Sequence, residues 1–210
     1  SHVKRYYAFD EFLGSYDMTS AQGGSAGLCP NASTACVIDG PMDQFYDFRL
    51  ANATIDSLHR AITQERASPA TIKRPWYIMA GFRRPHMDLY VHRKFWSLYP
   101  EQSEIAVAAD AIQRRDPSAP EIAFHPTGAT LPNGTKVGAT ADKPYPKSVQ
   151  QYIRRGYYAA VSQTDACIGM VLDALDGYGE DVVRNTLVLA HADHGELMAK
   201  APTEPIVYAC

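Results

Sequence analysis

Two short apolar runs, residues 75–82 and 185–190, each follow a stretch whose apolar residues recur at helical spacing, and this alternation most constrains the fold. Thr54 opens the first helical stretch, in which Ile55, Leu58, Ala61 and Ile62 share a face, with Asp56 early and Arg60 and Arg66 late, matching a helix dipole. From Pro146 to Leu175, Val149, Tyr152, Ile153, Ala160, Val161, Ile168, Val171 and Leu172 keep the same period, and Gly177 and Gly179 end it. Residues 75–82 are continuously apolar and aromatic and too short for a helix, which predicts a strand buried on both faces. The order helix, strand, loop, helix, strand, loop predicts an α/β layer fold with a mostly parallel sheet flanked by helices.

Both runs exit into polar clusters that contain histidine: Arg83-Arg84-Pro85-His86 after the first, His191-Ala192-Asp193-His194-Gly195 after the second. In a parallel sheet these exits share one edge, where open α/β sheets place their chemistry. Guanidinium groups suit a tetrahedral oxyanion, and Pro85 fixes the backbone beside His86. Asp193 supplies a hard oxygen ligand for a divalent cation, and Gly195 lets the chain turn away. Such a pairing suits a metal and cationic side chains sharing the charge of a sulfuryl or phosphoryl group during ester hydrolysis. The plainer alternative is two unrelated polar loops.

The remaining segments are less regular. Residues 1–49, with Gly23, Gly24 and Gly27 interrupting any period, predict little regular structure, and 101–147, rich in proline, predict a long irregular excursion. Residues 92–99 have room for two helical turns before Pro100. With 210 residues, 46% of them apolar, the chain can bury a sizeable core as one domain. A net charge of -3 without a basic run argues against nucleic acid as a partner, and no run approaches the roughly eighteen apolar residues of a membrane span.

Cys29 and Cys36 lie close enough in sequence to close a small loop, Cys167 falls on a helix's apolar face as a buried thiol, and Cys210 is the last residue. Sequons at Asn31, Asn52 and Asn133 suit a secreted or lysosomal glycoprotein. Tyr157 and Tyr158 are expected to pack the long helix rather than stack on sugars, and His59, His92 and His125 to be surface or locally bonded. His191, at the end of its run, is a candidate neighbour to a metal site.

Residues 76–86, followed by Phe95 and Leu98-Tyr99-Pro100, resemble the sulfatase segment in which a strand leads to a Lys-Pro-His turn and a short helix ending Leu-Tyr-Pro. The order continues with Ala123-Phe124-His125-Pro126, then Ile153 through Ser162, Asp165, Gly169, residues 172–175, and Asn185-Thr186 leading to Asp193-His194-Gly195. The chain resembles the sulfatase family, within the alkaline-phosphatase-like superfamily, and among its subfamilies is most similar to the iduronate-2-sulfatases. The likeness is strongest over 28–198, and residues 1–210 are expected to form part of one catalytic domain, incomplete at both ends.

The resemblance implies sulfate ester hydrolysis on a sulfated saccharide, dependent on calcium and on a formylglycine made from a Cys or Ser that heads a Cys-x-Pro/Ala-x-Arg motif. It places Asp193 and His194 at the metal, and His86 at the sulfate or the leaving group. Arg84 stands where the family has Lys, and Lys200 is a candidate for the sulfate-contacting Lys after Asp-His-Gly. A Cys29–Cys36 bridge also resembles that subfamily, and a lysosomal or extracellular location through the secretory pathway follows.

The departures are specific: no cysteine here heads the motif, and the paired Asp ligands of the family's first strand are absent. The chain is therefore expected to be a partial sequence whose nucleophile lies upstream. The alternatives are an inactive sulfatase-fold glycoprotein that binds sulfated ligands, and a related metal-dependent phosphodiesterase.

Overall fold

The computed structural model describes residues 29–69, 71, 75–107, 127–140 and 143–193. Strand β1 (Ala35–Ile38) is followed by helix α1 (Tyr46–Ala67), strand β2 (Leu89–His92), helix α2 (Arg93–Trp96), strands β3 (Thr127–Thr130) and β4 (Lys136–Ala139), helix α3 (Lys147–Asp176) and helix α4 (Glu180–Arg184). β1 and β2 pair in parallel with Ala35 opposite Leu89 and Ile38 opposite His92, and β3 and β4 form an antiparallel hairpin.

The two long helices form where the periodicity predicts them, but Val161, Ile168 and Leu172, expected on the apolar face of α3, are exposed. α1 begins more than two turns before the Thr54 start that the pattern suggested, at Tyr46, and ends where Ser68 turns extended and returns its hydroxyl to the Gln64 carbonyl at 2.8 Å. α3 starts after Pro146, which has no N–H to satisfy, and buries Val149, Tyr152, Ile153, Ala159, Ala160 and Cys167 along one face. That face covers the β1–β2 pair, while Leu58 and Ile62 of α1 meet Leu175 of α3 in a second cluster.

Close approach of α3 to the strands depends on Gly156. A Cβ at this position would lie 2.8 Å from the Ala35 Cβ and 3.4 Å from the Leu89 Cβ. Around this contact, buried polar groups complete the strand bonding. The Tyr152 hydroxyl accepts from the Ala35 N–H at 2.9 Å and donates to the Ala35 carbonyl, and Gln163 Oε1 accepts from the His92 N–H at 2.8 Å. The hairpin joins the same unit, since Thr34 N–H donates to the Thr130 carbonyl and Thr130 N–H to the Thr34 hydroxyl, each at 2.8 Å. Gly134, at φ +84°, closes the hairpin turn in a conformation that side chains disfavour.

Several expectations are corrected. The parallel sheet is a pair among the described residues, and its strands come from 35–38 and 89–92. Residues 75–82 lie in no strand, and their exposure alternates: Trp76 and Ile78 pack on the α1–α3 cluster while Tyr77 and Met79 face solvent. One face is buried, not two. The run 185–190 is not a strand either: Asn185 and Thr186 bond back to Asp181 and Val182 of α4, and Leu187 and Leu189 are 82% and 78% exposed. Residues 1–49 carry β1 and the start of α1, the excursion 101–147 carries the β3–β4 hairpin, and the two-turn helix before Pro100 is the single turn of α2.

Gly156→Ala is expected to destabilise the protein by about 1–3 kcal/mol, because the overlap with Ala35 outweighs the ~1 kcal/mol that alanine gains over glycine in a helix. Tyr152→Phe should cost about 1–3 kcal/mol by stripping both Ala35 backbone groups of their partner. Denaturant unfolding of the two variants beside wild type measures both, and an unchanged midpoint for Gly156→Ala would remove the close-packing argument.

Candidate active site

The turn that carries His86 follows the run 75–82 and is held by three elements. From the first turn of α1, Asp47, only 2% exposed, accepts the Arg83 N–H on Oδ1 at 2.8 Å and the Arg84 N–H on Oδ2 at 3.1 Å. On the α3 side, the Thr164 hydroxyl donates to the Arg84 carbonyl at 3.2 Å. Toward β2, the Arg84 guanidinium lies 5.3 Å from the centre of the Tyr90 ring, and the Tyr90 hydroxyl donates to Asp88 at 2.8 Å. The turn itself closes by the His86 N–H donating to the Arg83 carbonyl at 3.0 Å.

Arg84 is turned into this structure: its Nη1 donates to the His86 carbonyl at 2.6 Å. Burial lowers its pKa to about 10, with the Asp47 charge opposing the drop, so it stays cationic at neutral pH. Arg83 is half-buried, and its Nε has no hydrogen-bond partner. Burial is also the main cause of the high Tyr90 pKa, about 12, with the Asp88 hydrogen bond adding to it.

The His86 side chain is exposed, and its Nδ1 bonds the Met87 carbonyl. A carbonyl only accepts, so Nδ1 carries the proton in the neutral ring and Nε2 is left as the basic atom. This fixes which ring nitrogen can exchange a proton with a ligand.

Asp193 lies exposed at the end of the stretch 187–193, and His191 is exposed beside it. The groups that hold the His86 turn come from α1, α3 and β2. His194 and Lys200 lie outside the described residues, as does His125. Calcium takes about six to eight oxygen ligands. Asp193 offers a suitable donor, but among the described residues no three His, Cys, Asp or Glu side chains gather as a cation site. These residues alone do not compose a calcium site.

Other expectations hold in detail. His59 Nδ1 bonds the Tyr178 hydroxyl at 2.8 Å, and His92 caps α2 by accepting the Lys94 N–H at 3.0 Å. Tyr157 packs on the core and Tyr158 lies against Tyr99, with ring centres 5.6 Å apart. Cys29 and Cys36 are joined as a disulfide with Cα atoms 5.9 Å apart. Sequence reasoning missed Asp47 and Thr164. An acidic residue in a first helical turn is visible in the sequence, but a bond to a backbone N–H thirty-six residues away leaves no signal there.

Cys167 is fully buried, and burial, helped by the Asp47 charge, pushes its thiol up to about 12. Since the unfolded chain gives up this proton from about pH 9 and the folded one keeps it, the thiol's contribution to stability is present below pH 9 and lost as pH rises toward 12. Native protein exposed to iodoacetamide at pH 8 should leave Cys167 unmodified, and unfolded protein should label there, as read by peptide mass spectrometry; rapid native labelling would contradict the burial.

Compared with known proteins, the chain matches the family model described as Sulfatase over residues 3–208. It is 30% identical over 124 residues to the iduronate 2-sulfatase of Mus musculus, covering 58% of this chain and 22% of that protein. It is 31% identical over 139 residues to a sulfatase of Formosa agariphila, covering 62% and 24%, and 25% identical over 154 residues to the choline-sulfatase of Rhizobium meliloti, covering 72% and 26%. The matched part is about a quarter of the length of each of these relatives. With nearly all of its residues inside the family match, the chain belongs to the sulfatase family.

Proposed function

We propose that this chain is part of the catalytic domain of a sulfuric ester hydrolase that removes sulfate from a sulfated saccharide, in the manner of the iduronate 2-sulfatases. The observation that carries the reading is the His86 turn, where a buried scaffold holds an exposed imidazole whose Nδ1 is committed to the Met87 carbonyl. Cleavage of the S–O bond of a sulfate ester leaves negative charge on the alcohol oxygen. His86, protonated at Nε2, supplies the proton that neutralises it, a role worth about 10²–10⁴ in rate. The family match and the 30% identity to an iduronate 2-sulfatase support the substrate class.

No cysteine of this chain heads a Cys-x-Pro/Ala-x-Arg motif, so in this reading the formylglycine nucleophile comes from residues outside these 210. Asp193 and His194 are assigned to the metal side of the site, with the other calcium ligands outside the described residues, and Lys200 to sulfate contact. The apolar and exposed residues 187–189 support a further strand pairing in the complete alkaline-phosphatase-like sheet. There, backbone amides of 187–189 should exchange slowly with deuterium, whereas exchange within seconds would argue against the sheet.

The Cys29–Cys36 bridge and the exposed sequon residues Asn31, Asn52 and Asn133 support a secretory route to the lysosome or outside the cell. No helix of the described residues is long and apolar enough to cross a membrane. The absence of the nucleophile motif from these residues favours a second reading, a glycoprotein that binds sulfated ligands without turnover.

The test is release of sulfate from a 2-sulfated uronide by the complete protein. His86→Ala should lower kcat about a hundredfold and keep calcium content, while Asp193→Asn should lower calcium affinity and hydrolysis together. Binding of the uronide with no sulfate released would favour the second reading, and unchanged turnover in both variants would remove the site assignment.

A further inference from the structure

Asp47 is a carboxylate buried inside the protein, away from the exposed His86 ring. A carboxylate 2% exposed is tolerated only when its charge is answered, and here three features answer it. It lies in the first turn of α1, where unpaired N–H groups favour negative charge. Both oxygens accept backbone N–H groups, at 2.8 and 3.1 Å, and the Arg84 guanidinium interacts favourably with it.

The two N–H groups belong to consecutive residues, Arg83 and Arg84, immediately before Pro85 and His86. A single carboxylate that accepts two successive N–H groups fixes the orientation of both peptide planes, which one bond would not do. The carbonyls of the same residues are also engaged, Arg83 by the His86 N–H and Arg84 by the Thr164 hydroxyl. Every backbone polar group of the two residues is therefore held, while the His86 ring beyond them is exposed.

We infer that Asp47 is a positioning residue for His86: the twin bonds from its carboxylate to the Arg83 and Arg84 N–H groups set where the imidazole stands relative to a bound sulfate ester. The inference rests on the reading of His86 given above, but the geometry it asserts can be measured without turnover. Replacement by Asn keeps the size and one acceptor oxygen and turns an NH2 group toward a backbone N–H, so one of the two bonds is lost and the turn is released at one plane.

The experiment compares the complete protein with its Asp47→Asn and Ile62→Val variants. Ile62 is buried on the same helix in the cluster with Leu58 and Leu175, so it reports a general loss of helix packing. Two quantities are read well below each unfolding midpoint: the NMR resonance of the His86 imidazole, and kcat and KM on the 2-sulfated uronide. Asp47→Asn should move the His86 resonance and lower kcat about tenfold to a hundredfold with KM little changed, and Ile62→Val should move neither. An unmoved His86 signal in Asp47→Asn overturns the inference whatever the turnover does. If the wild-type protein releases no sulfate, the sulfatase reading fails, and the His86 signal still decides the positioning. Should Asp47→Asn not fold, Thr164→Val removes the opposite grip on the Arg84 carbonyl and must move the same signal, in the same direction, for the inference to stand.

Discussion

The contact between α3 and the β1–β2 pair, made at Gly156, is the constraint on which the rest of the structure depends. With Gly156 the helix backbone settles onto Ala35 and Leu89, and only at that separation can Tyr152 reach both backbone groups of Ala35 and Gln163 reach the His92 N–H. A two-stranded parallel pair is weak by itself, since parallel strands are ordinarily covered on their faces. Side chains of one helix here supply hydrogen bonds that neighbouring strands would otherwise provide. The same helix carries Thr164, about two turns beyond Gly156, to the Arg84 carbonyl. Packing of the core and placement of the His86 turn thus have a common origin in α3.

The other side of that turn depends on a buried charge. Asp47, buried in the first turn of α1, acts on two neighbours: its charge helps to push the Cys167 thiol up, and it opposes the loss of Arg84 basicity caused by burial. A buried charge of this kind does little for net stability once desolvation is counted. What it provides is orientation, because a carboxylate and a guanidinium with fixed hydrogen bonds leave the backbone between them few alternatives.

Legibility in the sequence followed the length of the pattern. α1 and α3 contain several turns of apolar repeats, and their faces were readable from Leu58 and Ile62 or from Val149, Tyr152 and Ile153. β1 and β2 have four residues each, too few for a period to stand out, and their pairing is fixed by the Tyr152 and Gln163 bonds, which are distant in sequence. Residues 75–82 misled because a continuous apolar run looks the same whether one face or both are covered. Of the residues proposed for the site, His86 and Asp193 stand out in the sequence by their chemistry at the end of an apolar run. Asp47 does not, since its role lies in backbone contacts that any turn of sequence could have made.

Arg84 shows how a residue's chemistry and its placement can diverge. A pair of arginines before Pro85-His86 reads as an anion-binding cluster, and the charge is indeed present at neutral pH, since the pKa of Arg84 remains about 10. Yet the Arg84 fork is occupied by the His86 carbonyl and by the face of Tyr90, which itself is tied to Asp88. Lysine, a point charge on a flexible stem, has no planar face to lie against that ring and no second nitrogen to bond the carbonyl while keeping the stack. With arginine, therefore, the position acts as part of the support of His86, because its guanidinium bonds the His86 carbonyl while it lies over the Tyr90 ring.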